Sequence, residues 1–129
     1  MKRNFELIPG ILAASVGRTG DDELTFAFPE VLHVIKLCST NLIAVLGLDL
    51  FKILSDGLYQ TVKLSGYHLE IKQNPQRVEE WPEYVQLNNT LAEEFVRQNP
   101  AGDDHLYILT TSSWREFCEI QDIKRAGGP

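Results

Sequence analysis

The chain has 129 residues, 43% hydrophobic and 23% charged, with a formal net charge of −6. That size and composition predict one ordinary soluble domain with a core large enough to fold without disulfides or a structural metal. The acidic balance argues against nucleic-acid and anionic-membrane binding, which need Lys and Arg to displace counterions, and no apolar run reaches the roughly 20 residues that span a bilayer.

Met1 to Glu6 starts like the charged end of a signal peptide. Glu6 and Pro9 then interrupt the apolar stretch that should follow, so the sequence predicts a cytoplasmic protein. Phe5 to Val16 reads either as a short strand and turn or as a short helix beginning after Pro9. Val16 to Asp22 reads as a loop from its glycine and aspartate content. Leu24 to Phe28 is β-prone. Pro29 and Glu30 then open a helix, because proline suits the first turn and an acid suits the positive end of the dipole. Val31, Leu32, Ile35 and Cys38 recur there at helical spacing, and Ser39-Thr40-Asn41 ends the helix.

Leu42 to Leu54 is almost continuously apolar and alternates imperfectly, with Gly47 in its middle. As a helix it would put Leu42, Leu46, Leu50 and Ile53 on one stripe; the reading favoured is a central strand buried on both faces. Ser55-Asp56-Gly57 would turn it into a partner strand within Leu58 to Lys72, interrupted at Ser65-Gly66. The clearest element follows Trp81. Pro82 occupies a first helical turn, and Tyr84, Leu87, Leu91 and Phe95, with Val85, Ala92 and Val96, form one apolar face. Glu83, Gln86, Thr90, Glu93, Glu94 and Arg97 form the opposite one. Residues 99–104 are a loop and His105 to Thr111 a strand. Ser113 and Glu116 have the spacing of a capping box, opening a helix through about Gln121 from which Trp114, Phe117 and Cys118 point inward. The expected fold is α+β: a mostly antiparallel sheet of about four or five strands with three helices mainly on one face. The domain covers 1–125, and 126–129 is a tail without anchoring side chains.

Chemical motifs are sparse. There is no HExxH, GxSxG or phosphate-loop spacing, and no metal or cofactor is expected. Cys38 and Cys118 lack CxxC spacing and read as apolar buried thiols. His33 reads as a structural histidine on its helix. What stands out is charge: residues 73–104 carry seven acids against two bases, while the rest of the chain is nearly balanced. Three functions follow. The first is a non-catalytic domain that presents 79–104 to a basic protein partner through Glu79, Glu80, Trp81, Glu83, Glu93, Glu94, Asp103 and Asp104. By size and charge this matches small acidic proteins that neutralise a basic toxin or chaperone a secreted effector. The second is a small enzyme or ligand-binding domain with a site from His68, Glu70, Asp103 and His105. The third is a homodimeric or larger structural assembly built on the Leu42–Leu54 strand or the Trp114 helix.

Overall fold

The computed structural model describes residues 4–54, 59–63 and 75–127. A 3₁₀ turn at Asn4–Leu7 leads into one turn of helix, α1 (Ile11–Ala14), so the helical alternative after Pro9 is the one that forms. Gly10 precedes it at φ 95°, and a Cβ there would meet Leu37 Cδ1 at 3.3 Å. Two short antiparallel strands follow, β1 (Gly17–Arg18) and β2 (Leu24–Thr25). They close the expected loop into a small hairpin. Arg18 fastens it: Nη2 donates to the buried Glu6 carboxylate at 2.7 Å and Nη1 to Asp22 O at 2.9 Å.

Helix α2 (Glu30–Thr40) starts directly after Pro29 and buries Val31, Val34, Ile35 and Cys38. The Asn41 side chain stops it by donating to Leu37 O at 2.8 Å. Leu42 then takes a left-handed conformation, φ 56°. A residue with a Cβ adopts it at a cost of about 1–2 kcal/mol. The chain leaves this corner into β3 (Ala44–Ile53).

Strand β3 is central. It pairs antiparallel with β4 (Tyr59–Lys63) on one side and with β5 (His105–Ser112) on the other. The turn at 55–57 and the expected strand at 67–72 lie outside the described residues. The imperfect alternation of β3 has a definite cause. Val45 pairs with Thr111 and Gly47 with Thr110, so Leu46 is an extra residue in a β-bulge. Across that bulge Val45, Leu48 and Leu50 all face the main core, opposite Thr111, Leu109 and Tyr107. Helices α2 and α3 (Trp81–Gln98) pack over this face.

Helix α3 is rotated from the face its hydropathy suggested. Its buried residues are Trp81, Val85, Asn88, Asn89, Ala92, Phe95 and Val96, whereas Leu87 is 48% exposed. Two polar residues take inner positions because they supply hydrogen bonds to backbone. Asn89, 2% exposed, accepts from Val45 N at 2.7 Å and donates to Ile43 O at 3.0 Å and to Ser39 Oγ at 2.8 Å. Trp81 Nε1 donates to Leu42 O at 2.8 Å, securing the strained corner. The described pairs of β4 reach only Leu50–Ile53. At the start of β3, the Asn89 amide supplies a donor and an acceptor to the strand backbone.

Strand β5 is held to the loop after α3 by Tyr107, whose hydroxyl donates to Asn99 O at 2.6 Å and accepts from Ala101 N at 2.7 Å. The capping box forms as read: Glu116 N donates to Ser113 Oγ at 3.1 Å and Ser113 N to Glu116 Oε1 at 2.9 Å. Asn4 adds to it from the other end of the chain, donating through Nδ2 to Ser113 Oγ at 2.6 Å. Helix α4 (Trp114–Gly127) outlasts the expected end near Gln121 and runs into the segment read as a tail. The architecture is α+β, with five strands in two antiparallel sheets and four helices among the described residues.

Two stability predictions follow from the core. Asn89→Ala removes the side-chain partner of the Val45 amide and of the Ile43 carbonyl and should cost about 2–4 kcal/mol in urea unfolding. Burial pushes the Cys38 thiol from 9.0 up to about 12. The unfolded chain then gives up this proton at lower pH than the folded one. Stability is complete below the unfolded value and falls as pH rises towards 12. Cys38→Ala should flatten the fall in urea midpoint between neutral and alkaline pH.

Candidate functional site

The acidic segment is a stripe rather than a cluster. Helix α3 has 18 residues, which at 1.5 Å per residue is about 27 Å of length. Glu79 and Glu80 lie before it in a 3₁₀ turn, and Asp103 and Asp104 beyond its end. Glu83 and Glu94 are eleven residues apart, so they fall within about 20° of one line down the helix and about 16 Å apart along it.

Several of the acids have work inside the fold. Glu80 Oε1 accepts from Gln76 N at 3.1 Å and Arg77 N at 3.0 Å, capping the turn that leads into α3. Glu93 lies 3.9 Å from Arg97, one turn on. Asp104 lies 2.7 Å from His105 Nδ1 and 4.0 Å from Lys52 Nζ. Among the described residues, no ion pair or hydrogen bond engages the carboxylates of Glu79, Glu83, Glu94 and Asp103, and all four are exposed. Leu87 is exposed on the same side of α3, one turn after Glu83. Trp81 leaves this surface set. It is 1% exposed, because its indole fills the space between α3 and α4 while its N–H is engaged by Leu42.

The alternative site is only partly in view. His68 and Glu70 lie outside the described residues. His105 and Asp104 do come together, at the start of β5 beside Lys52, which is His105's register partner on β3. The described residues contain no group of three or more His, Cys, Asp or Glu side chains able to hold a metal. The Leu42–Leu54 run invoked for self-association is the central strand of the sheet.

A feature missed by the sequence reading lies at the foot of α3. Trp81, Tyr84, Trp114 and Phe117 form a connected aromatic group, with Trp81 5.5 Å from both Trp114 and Phe117. Trp114 and Phe117 are stacked, 6.0 Å between centroids and 20° between planes. They line a cleft of about 260 Å³ that Gln76, Cys118, Gln121 and Asp122 complete. The spacing of Trp114, Phe117, Cys118, Gln121 and Asp122 on one helix face was the available signal, but nothing in it announced the opposite wall.

No family model, curated protein or solved structure matches this chain.

The two thiols differ in environment. Cys38 is fully buried and Cys118 half-buried in the cleft wall. Iodoacetamide should therefore alkylate Cys118 in the native protein and reach Cys38 only after denaturation, as peptide mass mapping would show. Equal labelling of both in the native state would contradict this core.

Proposed function

We propose that this protein is a non-catalytic binding domain that presents the acidic stripe along α3 and its flanking turns to a basic protein partner. The observation that carries the reading is the set of exposed carboxylates that no partner engages among the described residues, Glu79, Glu83, Glu94 and Asp103. Acids spread along one line repel one another, and a cationic surface of matching length relieves that repulsion. Leu87 gives the stripe an exposed apolar contact between Glu83 and Glu94, so the complementary surface combines Lys and Arg with an apolar position. Two free cysteines fit a cytoplasmic setting for this encounter.

Charge reversal at these positions separates binding from folding. Glu80 and Glu93 are left in place because they cap or pair within the fold. The triple variant Glu79→Lys, Glu83→Lys and Glu94→Lys should keep the far-ultraviolet circular dichroism and urea midpoint of the parent. It should lose a basic partner that the parent captures from host extract at low salt and releases at high salt. Undiminished, salt-insensitive capture by the triple variant would overturn the proposal.

A further inference from the structure

We propose that the cleft between α4 and the segment leading into α3 receives one arginine side chain of that basic partner. The inference rests on the acidic-stripe reading and gives the partner an anchoring point. The cleft has about 260 Å³ of space, and Trp114 and Phe117 supply a stacked aromatic wall. A guanidinium is planar, permanently charged and weakly hydrated, so it lies against such a wall by stacking and cation–π attraction. Asp122 contributes an exposed carboxylate that no ion pair engages among the described residues. A carboxylate takes two parallel N–H bonds from a guanidinium, and the side-chain carbonyls of Gln76 and Gln121 offer acceptors for those that remain.

The walls are set before any ligand arrives. Trp81 is packed behind both rings, and the Gln76 backbone is held by the Glu80 carboxylate. Place completes the argument. Gln76 precedes Glu79 by three residues, so the cleft opens at the end of the stripe where α3 begins. A lysine ammonium, a compact and strongly hydrated charge, matches Asp122 but gains little from the flat wall.

Agmatine, an alkyl guanidinium, and cadaverine, a diamine of similar length and equal charge, test the chemistry without the partner. Agmatine titrated into ¹⁵N-labelled protein should shift the Trp114 indole N–H saturably and leave that of Trp81, bonded to Leu42, in place. Cadaverine should bind at least about threefold more weakly, and Asp122→Asn should weaken agmatine about fivefold. The charge-reversed triple variant should retain the preference for agmatine over cadaverine. No saturable Trp114 shift, equal response to the two amines, or an unaffected Asp122→Asn variant would overturn the arginine pocket. The stripe would then stand or fall on its salt-sensitive capture, in which these probes take no part. Agmatine binding without charge-dependent capture would instead overturn the stripe as the partner surface.

Discussion

Asn89 places a primary amide against the start of β3, beyond the described pairs of β4. A peptide group offers one donor and one acceptor, and this side chain presents the same pair to Ile43 O and Val45 N. Its second N–H reaches Ser39 at the end of α2. One residue of α3 thereby fixes α2, the entry to β3 and the helix itself relative to one another. Trp81 extends the same arrangement by one corner, bonding Leu42 in its left-handed conformation. The cost of a buried amide is offset because its donors and acceptor all meet backbone or hydroxyl partners.

Much of the scaffold was legible in the residues. Pro29 opened α2, the Ser113–Glu116 spacing gave the start of α4, and the apolar length of 42–54 read as a central strand. The parts that were hidden share a cause. Hydropathy ranks asparagine with the surface, so Asn88 and Asn89 pulled the apparent inner face of α3 towards Leu87. Only the backbone they serve explains their burial: for Asn89 it lies more than forty residues earlier in the chain, and for Asn88 it is Tyr84 O one turn back. The Leu46 bulge was equally concealed, because a single inserted residue breaks alternation without any composition of its own. Gly47 was the visible trace of it.

The same division applies to the surface. Net charge located the acidic quarter of the chain but could not separate acids that cap and pair from acids that no partner engages among the described residues. Glu80 and Glu93 belong to the first kind, Glu79 and Glu94 to the second. Trp81 shows the complementary error: an aromatic amid acids suggested an interface, yet it is the inner buttress of the cleft whose outer wall is Trp114 and Phe117. The proposed binding surface and the contacts that hold the fold thus draw on adjacent residues of one short stretch.

The bond from Val45 N to Asn89 has a kinetic consequence. Most strand amides exchange with solvent deuterium only when their sheet opens. This one is closed by a side chain from a helix, so the seating of α3 gates it. Its exchange rate is a built-in clock for the helix that carries the acidic stripe, distinct from the amides of β3 that pair with β5. Anything that grips α3 from outside slows that clock first.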